Sequence, residues 1–405
     1  MSFASSLSSF LPASITSAFA SAPSHTQSLT KDICIKRLRI HPIKSCRGFD
    51  LDSVDYDQSG FKYDRTWLVI DAITRNFYTG RELPKMVLIE PKIDETTGTL
   101  NISIPVKEKG EAPLVISTPL NPTPAELADY ELVTNITIWE SKVDGYAVSK
   151  EADVALSLYF GKPVRLVRKG PLRRESGPHP TSGPTRYAKD EASVNMQDFY
   201  PLLVTSEASF DHVRSTILKS VFPEHASSID AGVQAYKVPG NLDRKFWTPE
   251  YVAGLQIDRF RPNIVLGDAP AATSKMTAFE EDGWESFEII DQSLAGAAAS
   301  MFGKAAIGMG QGIYTLVRCA RCMVPNIDPA TGVRDAHLPY RITIQSRQVD
   351  PTIAKPCFGM LSCSREASGT LRVGDIVRVT STADPDAPNR TLMSAFPTET
   401  SGESK

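Results

Sequence analysis

The chain has 405 residues, room for two or three domains of about 150 residues each and for a sizeable core that needs no disulfide framework. With 41% hydrophobic and 22% charged residues it is composed as an ordinary globular protein, and 44 basic against 47 acidic residues leave a net charge of −3, which argues against a surface built to grip nucleic acid. Its 29 prolines favour short strands and loops over a helix bundle, and six cysteines (Cys34, Cys46, Cys319, Cys322, Cys357 and Cys363) are too few and too unevenly placed for anything but a reducing, intracellular compartment.

Residues 1–31 read as a disordered or targeting extension. Met1 to Thr30 hold no Lys, Arg, Asp or Glu, so the basic region of a signal peptide and the arginines of a transit peptide are both missing. Pro12, Pro23 and many serines interrupt the apolar residues, which fall short of the ~20 needed to span a bilayer, so no spanning segment is expected. From Asp32 the texture becomes β-rich, with alternation such as Leu100, Ile102 and Ile104 between polar neighbours. Strands are expected at 35–40, 66–71, 86–90, 113–117 and 133–139. A helix follows Ser149, with Ala152, Ala155, Leu156 and Tyr159 on one face and Gly161 and Pro163 as its stop. Residues 170–186 have the composition of an exposed loop, beside a basic patch of Arg165, Arg168, Lys169, Arg173 and Arg174 that is expected to be solvated. A second helix starts near Ser206, with Phe210, Val213, Ile217 and Val221 along one face. Further strands are expected at 261–266, 284–290, 313–319 and 371–379, the last pair turning at Val373-Gly374-Asp375. The Ala/Gly-rich stretch 294–312 reads as a loop or short helix, and 383–405 as a disordered tail. The fold class is therefore mostly β with some α, an α+β chain.

Most motifs fail on context. Gly308, Gly310 and Gly312 precede a β-like run instead of a helix N-terminus, which excludes a dinucleotide site, and Gly303-Lys304 lacks the rest of a phosphate-binding loop. No nucleophile elbow and no H-E-x-x-H occurs. What remains is Cys319-Ala320-Arg321-Cys322, followed by the turn Asp328-Pro329-Ala330-Thr331-Gly332. This C-x-x-C admits a zinc half-site, a redox pair, one soft-metal thiolate or two inert buried thiols. Zinc is disfavoured because Cys357 and Cys363 are not spaced as a second half-site, and a redox pair because Val324 and Pro325 do not open a helix. The adjacent Arg321 makes Cys322 the better thiolate.

Five blocks taken together carry a family resemblance: RLRIHPIKSCRGFDLDSVDYDQSGFKYDRTWLVID (37–71), LVTSEAS (203–209), DRFRPNIVL (258–266), RCARCMVPNIDPATG (318–332), and FG followed by GTLRVGDIVRV (358–379). In this order they resemble the MOSC-domain family, in particular its mitochondrial amidoxime reducing branch with fungal and plant counterparts. The resemblance implies an N-terminal MOSC-type β-barrel domain over 32–168 and a MOSC β-barrel domain over 187–382. It also implies a molybdenum pyranopterin cofactor whose metal takes one protein sulfur, at Cys322, with Cys319 a buried bystander. Lys44 and Ser45 match the family's Lys-Ser after the first strand, Arg65 its arginine before Trp67, and Arg261 and Asn263 its cofactor contacts in FRPN. Thr205 and Ser206 match its helix-start site, where free N–H groups suit an anion.

The activity so implied is reduction of small N-hydroxylated compounds, amidoximes and hydroxylamines, by oxygen-atom transfer at molybdenum. A sulfur-carrier or cofactor-handling protein with a persulfide on Cys322 is the alternative. The sequence contains no nicotinamide, flavin, haem or iron–sulfur motif of its own. Electrons are therefore expected from another protein; the resemblance implies a cytochrome b5-type donor and its NADH-dependent reductase, with the mitochondrial outer membrane or otherwise the cytoplasm as the location. Relative to the animal enzymes, 223–257 and 291–312 look inserted.

Overall fold

The computed structural model describes residues 33–106, 111–139, 141–176, 193–225, 232–270, 272–291 and 310–386. The extension 1–31, most of the loop 170–186, nearly all of 294–312 and the tail beyond 386 lie outside the described residues. In chain order the elements are β1 (Ile33–Ile40), β2 (Phe49–Leu51), β3 (Ser53–Asp57), β4 (Gly60–Phe61), β5 (Trp67–Asp71), β6 (Glu90–Asp94), β7 (Thr99–Ile104), β8 (Leu114–Pro119), α1 (Pro124–Asp129), β9 (Glu131–Ile138), β10 (Ser141–Ala147), α2 (Lys150–Phe160) and β11 (Val164–Lys169). They continue with β12 (Leu202–Ser206), α3 (Glu207–Val221), α4 (Pro249–Ala253), β13 (Ile264–Asp268), β14 (Trp284–Ile290), β15 (Gln311–Ala320), α5 (Tyr340–Arg347), β16 (Cys357–Ser364), β17 (Ser368–Arg372) and β18 (Ile376–Thr382).

Seven strands close into a barrel in the order β1-β13-β12-β16-β15-β14-β18 and back to β1, with β2 attached outside β1. All of these pairs are antiparallel except β12 with β13. Ile35, Leu38, Val204, Ile264, Leu266, Phe287 and Ile313 fill it. Ile35 and Leu38 are three residues apart yet belong to the same core because the register of β1 against β13 shifts between Ile35 and Arg37, a bulge that restores the inward face. The expected division at 168–187 divides the sequence, whereas the barrel takes β1 from one side of it and six strands from the other.

A second layer is the sheet β5-β11-β10-β9 together with the meander β6-β7-β8, joined by a core of Ile43, Trp67, Val69, Leu100, Ile102, Leu156 and Leu166. Helix α2 starts at Ser149, whose hydroxyl accepts from the Ala152 N–H at 3.1 Å, and ends at Gly161 in the left-handed region. The strand expected at 86–90 is instead a 3-10 turn, Pro84–Leu88, after which β6 begins. Pro84 has its φ pre-set for a helical turn and buries Met86 beneath it, which overrides the β-branched composition of the run. The strand expected at 261–266 starts later, at Ile264, because Arg261 has a left-handed backbone. No helix among the described residues is long and apolar enough to cross a membrane.

Candidate functional site

Two chain reversals and the start of β13 bring most of the expected residues together. Lys44 follows β1, and its Nζ is buried, donating to the Met196 carbonyl at 2.8 Å and to Asp198 Oδ1 at 2.5 Å. Burial lowers the Lys44 pKa, and the Asp198 charge opposes that shift. Ser45 sits beside it with a φ of 69°. Arg65 donates from Nη1 to Asp64 Oδ2 at 2.6 Å and to Asn263 Oδ1 at 3.1 Å, and from Nη2 to the Arg261 carbonyl at 3.2 Å. Asn263 is fully buried; its Oδ1 also accepts from the Leu203 N–H, and its Nδ2 donates to the Arg39 carbonyl. The Met196 N–H donates to the Arg65 carbonyl at 3.0 Å, so that Lys44, Asp198, Arg65, Asn263 and Arg261 are joined in one polar network across the two halves of the chain.

Arg261 is the least compensated member. Its Nη1 donates to the Cys46 carbonyl at 2.7 Å, while its Nη2 is buried with no partner. Burial, reinforced by the charge of Arg65, lowers its pKa to about 9. The neighbouring His41 is held neutral, well below its ordinary value, by burial and by the charges of Arg261, Arg65 and Arg39. A cavity of about 730 Å3 lies on this side, lined by Arg261 with Arg39, His41, Arg47, Arg259 and Val324. That volume is within the range of small-molecule sites. Of the expected site residues only Arg261 lines it.

Thr205 and Ser206 end β12, and the helix starts at Glu207, so neither lies inside it. Ser206 caps α3 by accepting from the Ser209 N–H, and its hydroxyl turns toward the buried Glu281 at 3.1 and 3.2 Å, away from an open anion site. Thr205 Oγ1 is buried without a partner. Cys322 is half-buried just beyond β15, near Cys319 and Tyr340, whose pKa values are raised first of all by burial. The expected role of Arg321 as the guanidinium next to the Cys322 sulfur is corrected. Its Nη1 donates to Cys319 Sγ at 3.0 Å and its Nη2 to the Phe260 carbonyl. Burial nevertheless raises the Cys319 pKa, with Arg321 acting against it.

The basic patch is corrected as well. Arg165 pairs with Glu131 and Asp153, Arg168 donates to the Leu120 carbonyl, and Arg174 is buried, donating to the Gln197 and Asp198 carbonyls at 2.5 and 2.6 Å. Arg174 supports the segment that presents Asp198. Asp198 and Trp139 carry no motif in the sequence, yet the Trp139 indole Nε1 donates to Asp198 Oδ1 at 3.1 Å. Packing around Asp198 would raise its pKa, but the charge and hydrogen bond of Lys44, with Trp139 and Arg65, hold it well below the usual carboxylate range. Eight described non-glycine residues have a positive φ, and four of them, Ser45, Arg65, Trp139 and Arg261, are in this region. Such strain concentrates at functional sites.

The chain matches the MOSC N-terminal beta barrel domain over residues 33–163 and the MOSC domain over residues 191–378. It belongs to the MOSC family. It is 26% identical over 358 residues to the human mitochondrial amidoxime-reducing component 1, covering 85% of this chain and 82% of that protein. It is 25% identical to the Danio rerio protein of the same name, covering 87% of this chain and 86% of that one. A molybdenum cofactor sulfurase of Aspergillus oryzae is 22% identical over 369 residues, covering 85% of this chain but 40% of the sulfurase.

The residues present fit an anionic, metal-carrying group. Arg261 Nη2, Thr205 Oγ1 and Arg321 Nε are buried donors without partners, and Arg261 touches no carboxylate among the described residues. Among the described residues no three His, Cys, Asp or Glu side chains gather as a metal-binding group. A metal held by Cys322 would therefore bring most of its ligands with it, as a dithiolene cofactor does.

Proposed function

We propose that this chain is a molybdenum-cofactor-dependent reductase of N-hydroxylated compounds. The observation that carries the reading is the buried guanidinium of Arg261, whose Nη2 has no hydrogen-bond partner among the described residues and which lines a small-molecule-sized cavity with Arg39. The names of the human and Danio rerio relatives support the choice of substrate. Cys322 would give the metal its protein sulfur, a soft thiolate suited to molybdenum. Lys44, Ser45, Arg65, Thr205 and Arg261 would hold the anionic end, while Asn263 fixes the orientation of Arg65 through its Oδ1. Ser206 acts one step removed, by capping the helix behind Thr205. When bound, the cofactor supplies two-electron oxygen-atom transfer from the substrate N–O group. Electrons would come from a cytochrome b5-type protein and its NADH-dependent reductase, and the relatives' name favours a mitochondrial location over a cytoplasmic one.

The test is metal content and turnover together. Protein from a cofactor-producing host should carry roughly stoichiometric molybdenum and reduce benzamidoxime only when a b-type cytochrome with its reductase, or reduced viologen, is added. Cys322→Ser should abolish turnover, and Cys319→Ser should keep a substantial share of it. Full molybdenum loading with no turnover under reduced viologen would overturn the reductase reading. It would favour the second one, a sulfur carrier on Cys322, which the sulfurase similarity supports.

A further inference from the structure

Arg81 and Trp139 make a built feature at the edge of this site that the cofactor reading leaves unused. Trp139 opens the two-residue connection between β9 and β10 with a φ of 52°, a position where hairpins favour Asn or Gly and where a bulky side chain is costly. The indole is nevertheless closely fixed. Its Nε1 donates to the Asp198 oxygen that also accepts from Lys44, its ring meets Phe77 edge-on at 5.4 Å, and it stacks on Phe199 at 6.2 Å. The guanidinium of Arg81 lies over the ring, 5.1 Å from its centre.

The place of Arg81 follows from its neighbour. A Cβ on Gly80 would lie 3.9 Å from Ser45 Cβ, 3.6 Å from Val324 Cγ2 and 3.5 Å from Ile327 Cδ1, so this turn is wedged between the Lys44-Ser45 corner and the segment just after Cys322. Arg81 is exposed, and among the described residues its guanidinium donates to no oxygen and pairs with no acid. An arginine held over an indole has lost part of its rotamer freedom and keeps its fork of N–H donors free for a planar oxyanion. We propose that Arg81, positioned by Trp139, binds a carboxylate on the substrate, so that the enzyme prefers N-hydroxylated compounds that also carry a carboxylate. This rests on the reductase reading for the word substrate, but the carboxylate site itself does not depend on it.

The experiment has two arms. In the first, the holoenzyme with reduced viologen is assayed on 4-carboxybenzamidoxime and on benzamidoxime. The ratio of their kcat/KM values should favour the carboxylate, fall about 10-fold or more in Arg81→Gln, and recover in part in Arg81→Lys. The second arm needs no turnover. Trp67, Trp247 and Trp284 are fully buried and Trp139 is 37% exposed, so quenching of tryptophan emission by 4-carboxybenzamidoxime reports on Trp139. The wild type should titrate to saturation, and the apparent Kd should rise about 10-fold or more in Arg81→Gln. A ratio and a Kd that Arg81→Gln leaves unchanged would overturn the proposal. If neither probe turns over while the quench titration still depends on Arg81, the reductase reading fails and the carboxylate site stands.

Discussion

Glu281 is a buried carboxyl held against the cap of α3. Its carboxyl accepts from Ser206 Oγ and, at 2.7 Å, from Ser209 Oγ, and it is fully buried. Burial first, and then the charge of Asp282, push its pKa up to about 7 against the lowering effect of those hydrogen bonds. A carboxyl raised in the folded state binds its proton more tightly there than in the unfolded chain. Its contribution is therefore fully present below the ordinary glutamate range and is lost as pH rises through 7. The span corresponds to about 3 kcal/mol at most. Glu281→Gln keeps an acceptor for both serines and removes the charge, so its thermal midpoint relative to wild type should climb between pH 5 and pH 8. A pH-independent difference would mean that Glu281 is ionised throughout. At this scale the motif blocks named Lys44, Arg65, Arg261 and Asn263 as cofactor contacts; the structure joins Arg65 to Asn263 and to the Arg261 carbonyl, and Lys44 to Asp198. Asp198 was not legible, because its partner Lys44 is 154 residues away and no local pattern marks the pair.

Among the elements, β12 and β16 decide where Thr205 sits. Gly359 in β16 has a φ of 78°, and a Cβ added there would lie 2.5 Å from Thr205 Cγ2 and 2.8 Å from the Val204 carbonyl. Gly359→Ala therefore combines backbone strain with a clash against main chain, and a loss of more than ~1 kcal/mol is expected in urea unfolding. Because the displaced atoms belong to Thr205, cofactor retention should fall with it, whereas Gly98→Ala, also at positive φ but open on every side, should cost stability alone. Helices α2 and α3 were readable from Ser149, Gly161 and Ser206 because caps act locally. The turn at Pro84–Leu88 and the bulge in β1 were not readable, since one depends on a buried methionine and the other on the register of a strand more than 200 residues away.

At the scale of the whole molecule, the barrel is closed by the first described strand. β1 pairs with β13 through Ile35↔Leu266 and Leu38↔Ile264 and with β18 through Ile33↔Val377, while β3 pairs with β17 through Val54↔Leu371. Sequence blocks place these residues in separate modules, and nothing short of the pairing itself reveals that one module completes the other. Without β1, two strand edges open and Ile33, Ile35, Leu38 and Ile40 leave the core. At about 2 kcal/mol each, those four side chains account for roughly 8 kcal/mol, comparable to the ~5–15 kcal/mol that holds a domain together. Residues 187–386 expressed alone should therefore aggregate or bind a hydrophobic dye. Coexpression with 33–168 should yield a soluble complex that copurifies, because the missing strand can be supplied in trans. The decisive measurement is the melt of 187–386 by itself: a cooperative transition in a soluble monomer would show that six strands suffice, and that β1 decorates the barrel without closing it.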